Sequence, residues 1–171
     1  QAVRTGVGLI ETTGFAKHRF TGPGARSFLD RIMANRIPEA GRMALTPMLN
    51  EHGMLVGDFT VATMTTAADP SGSSDGPERF IVFGTGAAEG HHERWFRSHL
   101  QTAGERVAYR PLSHEMAGLS IAGPAARDLL ASLTDQDVSN DAFRFLDVRR
   151  MDLGMVPTLV ARISFTGDLG Y

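Results

Sequence analysis

The chain has 171 residues, of which 42% are hydrophobic and 21% charged, and its formal net charge is −2. That length can bury a core as one domain or two small ones, and the charge gives no basic field to recruit nucleic acid or a membrane surface. The absence of cysteine excludes disulfides, thiolate nucleophiles and thiolate metal ligands in this sequence. No apolar run approaches the roughly 20 residues that a membrane-spanning helix needs.

The apolar and turn-forming residues predict two similar runs of strands and helices. In the first run the predicted strands are residues 7–11, 16–21, 45–49, 54–64, 80–83 and 107–110, with one helix after Pro23 and another over residues 88–101. A stretch rich in turn formers, residues 67–78, is predicted to be a solvated loop. In the second run the predicted strands are residues 116–121, 143–147 and 159–165, with a helix over residues 125–133 and a turn at "DLGMVP".

One phrase occurs in both runs, as "TGPGAR" from Thr21 and as "AGPAAR" from Ala122. In each copy glycine ends a strand, and proline suits the first turn of the helix that follows. Such a corner could present backbone donors to an anion, but its recurrence favours a role in the fold. The pattern predicts an α+β protein of internally duplicated β-α-β units, with antiparallel sheets and helices packed on them. The first repeat would be residues 1–111, and the second, starting at residues 112–171, would be truncated.

The composition and the two ends of the sequence suggest its origin. Lys17 is the only lysine among 17 basic residues, and there are 19 glycines. This bias is typical of GC-rich bacterial genomes, so we expect a bacterial, cytoplasmic protein. The sequence begins at Gln1 and stops at Tyr171, just past a turn, so we expect a segment of a longer protein.

Two motifs suggest cofactor chemistry but fit it poorly. The stretch "VFGTGAAEG" follows a strand and opens a helix, as dinucleotide loops do, but its spacing is G-x-G-x-x-x-G and no strand ending in an acid follows. We interpret it as a tight strand–helix turn. His91 and His92 are adjacent near a helix start and point in different directions, so they cannot easily chelate one metal ion. We predict that both lie on a solvated face and that the chain has no metal site.

The hairpin "MLNEHGMLVGDFTVATM" carries the most informative residue, Asp58. Strand alternation divides the return strand into two faces, with Leu55, Gly57 and Phe59 on one and Val56, Asp58 and Thr60 on the other. Asp58 is the one acid in this apolar strand, and the pattern leaves open whether it lies on a solvated face or lines a pocket. Gly57 beside it would let another group approach the backbone closely.

Four blocks of the sequence, in order, resemble a known family. They are "VGLIETTGFAKHRFTGPGARSFLDRIMAN", "PMLNEHGMLVGDFTVA", "EMAGLSIAGPAAR" and "ARISFTGDLGY". The blocks resemble the folate-binding region of dimethylglycine and sarcosine dehydrogenases, which is in turn similar to the aminomethyltransferase (T-protein) of the glycine cleavage system. The resemblance extends from Val7 to Tyr171. The neutral Gly57 before Asp58 favours the dehydrogenases, because T-proteins usually carry two acids there.

The resemblance implies a tetrahydrofolate-binding domain that acts in one-carbon transfer. An FAD domain upstream in the same protein would oxidise a small methylamine to an iminium, and tetrahydrofolate would capture the one-carbon unit as 5,10-methylenetetrahydrofolate. In a T-protein, the unit would instead arrive as an aminomethyl group on a lipoylated carrier protein. A third alternative is a non-enzymatic iron–sulfur assembly factor of the same fold. Those factors carry a Lys-Gly-Cys-Tyr-x-Gly-Gln-Glu motif, and the corresponding residues 164–171 contain no cysteine.

The resemblance also implies which residues form the site. Asp58 matches the family's acid, which would lie partly desolvated near the folate nitrogens and take a proton or stabilise cationic character during attack on the iminium. Met48 and Thr85 are assigned to the folate site with it, although T-proteins often have asparagine near Thr85. Phe165 replaces the family's usual tyrosine, and Tyr171 matches its last aromatic residue. The acid and the arginines that follow in the family lie beyond Tyr171, so we expect this segment alone to bind folate poorly and to be inactive.

Overall fold

A computed structural model describes residues 2–64, 78–103 and 106–171 of the chain. The helices are α1 (Ala2–Thr5), α2 (Ala25–Ile32), α3 (Glu89–Ala103) and α4 (Ala126–Ala131). The strands are β1 (Gly8–Glu11), β2 (Ala16–Thr21), β3 (Met43–Leu49), β4 (Leu55–Met64), β5 (Arg79–Gly84), β6 (Ala108–Pro111), β7 (Leu119–Ala122), β8 (Val148–Leu153) and β9 (Val156–Ala161). In the part of the chain that the structure describes, no helix is long and apolar enough to cross a membrane.

The chain divides into two compact units. The central unit is Thr13–Ala117, and the split unit combines Gln1–Thr12 with Gly118–Tyr171. The predicted repeats, residues 1–111 and 112–171, follow the chain and stay a prediction, since the compact units have different bounds. The predicted α+β class with antiparallel sheets is what both units show.

The central unit is an antiparallel five-stranded sheet in the order β3-β4-β5-β2-β6. Alternate side chains of its strands point to one face, where they pack with side chains of α2 and α3. This core is rich in aromatic residues, and its largest fully buried members are Phe20, Phe28, Phe59, Phe80 and Phe96. The other face of the sheet is called the outward face, and the candidate site lies there. Met43, Ala62 and Ile81 on this face are buried, whereas Pro47 and Asp58 are exposed.

The split unit contains two small antiparallel pairs, β1 with β7 and β8 with β9. Its core lies around α4 and consists of Ala126, Leu130, Val138, Phe143, Met151, Val160 and Tyr171. The hairpin between β8 and β9 pairs Leu153 with Val156, so only Gly154 and Met155 form the turn. Gly154 has a φ of 62°, which suits a two-residue hairpin turn.

The prediction of a strand over residues 143–147 is wrong. These residues form turns, because the Asp147 carboxylate accepts a hydrogen bond from the Arg144 amide at 2.6 Å and Leu146 has a φ of 65°. The strand predicted over residues 159–165 is also displaced, because β9 covers Val156–Ala161 and takes in part of the predicted turn. The predicted loop over residues 67–78 lies, apart from Glu78, outside the described residues.

The repeated phrase folds in the same way in both copies. Gly22 has a φ of 112° and Gly123 a φ of 127°, and in each copy the carbonyl of this glycine accepts a hydrogen bond at 3.0 Å from the first helical residue, Ala25 or Ala126. The helices begin two residues after the prolines, so the expectation of proline in the first helical turn is wrong by two positions.

The glycine before the proline in each copy also lies close to a carbonyl oxygen of a neighbouring segment. A Cβ on Gly22 would lie 2.5 Å from the oxygen of Arg106, and a Cβ on Gly123 would lie 2.3 Å from the oxygen of Gly6. Arg106 lies two residues before β6, and Gly6 lies two residues before β1. β6 pairs with β2, the strand that ends at the first corner, and β1 pairs with β7, the strand that ends at the second corner. The shared geometry supports the interpretation of the phrase as an architectural device and of the fold as a duplication.

Candidate functional site

Asp58 lies on the outward face of the central sheet. It is exposed, whereas its neighbour Phe59 is buried in the core. Its cross-strand partner on β3 is Pro47. On the other side the last pair between β4 and β5 is Thr60 with Phe83, so this ladder ends before it reaches Asp58. Thr85, another predicted site residue, directly follows the end of β5 and is not paired with Asp58.

The surface around Asp58 is largely apolar. Leu45 and Pro47 of β3 are exposed, and Phe83 of β5 is half-buried. Lys17 of β2 pairs with Phe83 and so lies on the same face. Its ammonium donates hydrogen bonds to the carbonyls of Thr13 and Phe15, at 2.8 Å each, and does not pair with Asp58. A flat apolar face with one carboxylate suits a planar heterocycle that needs one ionic or hydrogen-bonding partner. Asp58 is exposed in this structure, and its expected partial desolvation near folate stays a prediction.

Met48 and Thr85 have different environments. Thr85 is exposed and extended, with a φ of −68° and a ψ of 129°, between the end of β5 and a short 3-10 helix, Gly86–Ala88. Met48 is fully buried in the aromatic core, on the face opposite Asp58. Any part that Met48 has in binding would therefore be indirect, through the position of β3.

Phe165 and Tyr171, the other two predicted site residues, belong to the split unit. Phe165 is fully exposed. Tyr171 is buried and stacks on Phe143, with ring centroids 5.9 Å apart. Its hydroxyl accepts a hydrogen bond at 3.0 Å from Nε of Arg127, the arginine of the second "GPxAR" phrase. Within this unit the Tyr171 hydroxyl therefore holds the β7–α4 corner.

The prediction that His92 lies on a solvated face is wrong. Its side chain is 1% exposed, and its Nε2 lies 3.2 Å from the carbonyl oxygen of Val56. Its ring meets that of Phe59 edge to face at 4.7 Å. Burial lowers the pKa of His92, the hydrogen bond to Val56 opposes that shift, and His91 adds to it. His91 is exposed, as predicted.

Two glycines make room for the rings of His92 and Phe59. A Cβ on Gly57 would lie 2.6 Å from the Phe59 ring and 2.7 Å from Nε2 of His92. A Cβ on Gly84 would lie 2.7 Å from the Phe59 ring. The prediction that Gly57 allows close approach is thus confirmed, and the approaching groups are side chains of the chain itself.

The stretch "VFGTGAAEG" is the tight strand–helix turn that the sequence predicts. The strand β5 ends at Gly84 and the 3-10 helix begins at Gly86. A Cβ on Gly86 would lie 2.0 Å from the carbonyl oxygen of Gly14, so backbone meets backbone here. Across residues 2–64, 78–103 and 106–171, no three acidic or histidine side chains are grouped so as to hold a metal ion.

A second buried imidazole, His18, lies in the same core. Its Nδ1 is 2.9 Å from the hydroxyl of Tyr109, and its ring meets Phe96 edge to face at 5.1 Å. Burial lowers the pKa of His18 to about 4, helped by His92 and opposed by Glu89 and Glu93. Neither Nε2 of His18 nor Nδ1 of His92 has a hydrogen-bond partner among the described residues.

We expect His18 to make the fold sensitive to acid. An unfolded histidine protonates near pH 6.5, but folded His18 does so only near pH 4, so its contribution to stability is present above pH 6.5 and is lost as the pH falls toward 4. Between pH 7 and pH 5 the loss should be about 2 kcal/mol. We therefore expect the free energy of unfolding of His18→Gln, measured in urea, to fall by about 2 kcal/mol less between pH 7 and pH 5 than that of the unmodified protein. His52→Gln, at an exposed position in the hairpin turn, is the control. Equal losses in both variants would contradict the assignment.

The comparisons with known proteins show the family to which the chain belongs. The GCVT N-terminal domain family matches residues 1–171, which is the whole chain. The chain belongs to this family. Over 96% of this chain, the sequence is 32% identical to mitochondrial dimethylglycine dehydrogenase of Rattus norvegicus. Over 99% of this chain, it is 32% identical to sarcosine oxidase subunit alpha of Corynebacterium sp. strain P-1. It spans only 18% and 17% of those two proteins.

The GCVT N-terminal fold is also found among solved structures. The glycine cleavage system aminomethyltransferase T from Bartonella henselae superposes with a TM-score of 0.77, covering 98% of this chain and 41% of that one. At 18% identity this likeness shows the fold alone. The predicted α+β fold and the resemblance to the aminomethyltransferase and dehydrogenase superfamily are thus confirmed.

Proposed function

We propose that this GCVT N-terminal domain binds tetrahydrofolate and transfers a one-carbon unit to it within a flavin-dependent dimethylglycine or sarcosine dehydrogenase. The observation that carries the proposal is the position of Asp58, an exposed carboxylate on the sheet face opposite the aromatic core, with the exposed apolar residues Leu45 and Pro47 beside it. Sequence identity over nearly the whole chain with a dimethylglycine dehydrogenase supports the choice of enzyme.

The residues of the outward face fit a pterin-like ring by their chemistry. Pro47 and Phe83 offer apolar contact to a planar ring, and the Asp58 carboxylate beside them accepts a hydrogen bond or a proton from a ring nitrogen. Tetrahydrofolate, when bound, supplies the amine nitrogen that accepts the one-carbon unit. Asp58 then favours the cationic state of the reacting groups and takes up the proton that is released. Thr85, just beyond the end of β5, would offer one hydroxyl.

The rest of the machinery lies with other parts of the protein or with partners. FAD, in an upstream domain of the same protein, would generate the iminium from a small methylamine, and that domain would select the amine. The alternative is a T-protein role, in which a lipoylated carrier delivers an aminomethyl group. The neutral Gly57 before Asp58 favours the dehydrogenase. Bound flavin in the purified full-length protein would decide between the two. We place the protein in the bacterial cytoplasm, also as a proposal.

A tetrahydrofolate titration of the full-length protein tests the proposal. Calorimetry should show saturable binding of one tetrahydrofolate per chain, and a mixture with the substrate amine should release less free formaldehyde as tetrahydrofolate is added. An adenine dinucleotide serves as the control ligand, because it would compete only if the glycine-rich turn were a nucleotide site. Absence of tetrahydrofolate binding would contradict the proposal.

A further inference from the structure

We propose that His92 is a positioning residue, which holds a β-bulge at Val56 and thereby keeps Asp58 on the outward face of the sheet. The inference deepens the proposed function and rests on it for the role of Asp58. It concerns a buried side chain that the sequence places on a solvated face and that the family resemblance does not include.

The bulge is visible in the register of β3 and β4. Met48 pairs with Gly57, but the next residue of β3, Leu49, pairs with Leu55. Val56 is therefore skipped, and within these two fully described strands it has no partner. A bulge of this kind breaks the ladder locally and leaves the extra residue unpaired.

The hairpin turn makes the bulge necessary. The side chain of Asn50 accepts hydrogen bonds from the amides of His52 and Met54, at 3.0 and 2.9 Å, and Gly53 has a φ of 74°. This turn fixes the Leu49–Leu55 pair. Continued without a bulge, the register would place Asp58 opposite Thr46, which is fully buried, instead of opposite Pro47. Because a shift of one residue moves a side chain to the other face, the bulge keeps the carboxylate out of the core.

His92 makes a hydrogen bond to the bulged residue. Nε2 of His92 donates to the Val56 carbonyl at 3.2 Å, which requires a proton on Nε2. The β4–β5 ladder begins only at Thr60, so α3 rather than a strand reaches β4 at the bulge. The same imidazole packs against Phe59, and Gly57 lies against both rings. His92 thus contacts the residues on both sides of Asp58 without contacting the site itself.

The matched variants separate the hydrogen bond from simple packing. His92→Gln keeps an N–H donor at nearly the same distance from the backbone, whereas His92→Met fills the space with an apolar chain that cannot donate. His91→Met replaces the exposed neighbouring histidine and serves as the control. If His92 only filled space, methionine would be tolerated at least as well as glutamine.

The first readout does not depend on folate. Hydrogen–deuterium exchange of the segment 54–60, measured in the full-length protein, should quicken by roughly fivefold in His92→Met, because the lost hydrogen bond lowers the cost of local opening. His92→Gln and His91→Met should exchange at the rate of the unmodified protein. Equal exchange in His92→Met and His92→Gln would overturn the inference.

The second readout is the transfer of the one-carbon unit to tetrahydrofolate. His92→Met should lower its rate by a similar factor of roughly five, and His92→Gln should restore it. In an Asp58→Asn background His92→Met should cause no further loss, because His92 acts through Asp58. A further loss in that background would overturn the positioning role. If exchange responds as expected while even the unmodified protein transfers no carbon to tetrahydrofolate, the proposed function has failed and the role of His92 in the bulge has not.

Discussion

Gly86→Ala is expected to lower the free energy of unfolding by roughly 3 kcal/mol or more, the largest loss of stability that the central unit predicts for a single methyl group. The added Cβ would lie 2.0 Å from the carbonyl oxygen of Gly14. Both atoms belong to the backbone, so no side-chain rotation relieves the collision and the β5–α3 turn must move. Gly86 follows Thr85 directly, so the change would also disturb the position of Thr85.

The matched control is Gly90→Ala, four residues further along the same segment. The nearest atom to a Cβ on Gly90 is Nη1 of Arg94, at 3.7 Å, and Gly90 lies inside α3. Alanine is favoured over glycine in a helix by about 1 kcal/mol, so this variant should be as stable as the unmodified protein or more so. Urea unfolding of both variants checks the pair. Similar stabilities for Gly86→Ala and Gly90→Ala would contradict the close contact.

Elements whose cause is local could be predicted from the sequence. The strand predicted over residues 16–21 is found as Ala16–Thr21, and the helix predicted over 88–101 is found as Glu89–Ala103. The repeated Gly-Pro phrase identified the duplicated corner, where Gly22 and Gly123 adopt a positive φ that glycine tolerates readily. Strand alternation assigned Asp58 to the face opposite Phe59, as found, while its role in the site, implied by the family resemblance, stays a prediction.

Features that depend on contacts between distant residues could not be predicted in this way. Alternation places Leu55 on the face of Phe59, but Leu55 is 64% exposed because the bulge at Val56 shifts the register. The adjacency of His91 and His92 argues against a metal site but does not show which of the two faces the core. The position of His92 four residues before Phe96, on the apolar side of α3, was the signal for burial. The turn at Leu146 needs the Asp147 side chain, which strand propensity does not include.

Asp58→Asn is expected to lower the rate of one-carbon capture by a factor of roughly 10² to 10⁴. Asparagine keeps the size and one oxygen of the side chain but can neither take up a proton nor hold a negative charge beside a cationic group. The site of the change is exposed, so the fold should be preserved. Binding of tetrahydrofolate should weaken much less, because apolar contact with the outward face is retained.

Glu51→Gln is the matched control, since it neutralises another exposed carboxylate of the same hairpin. The turn that carries Glu51 ends before the row of Asp58, so this variant should capture the one-carbon unit as the unmodified protein does. Loss of capture in Glu51→Gln as well would point to the general charge of the hairpin instead of the Asp58 carboxylate.

The most direct test of the central claim follows the methyl carbon of the amine. The full-length protein is given a methylamine substrate with a labelled methyl group together with tetrahydrofolate, and the label is measured in 5,10-methylenetetrahydrofolate and in free formaldehyde. We predict that the unmodified protein and Glu51→Gln place the label mainly in 5,10-methylenetetrahydrofolate, and that Asp58→Asn releases it as formaldehyde. Unchanged capture by Asp58→Asn would contradict the assignment of the transfer chemistry to this residue.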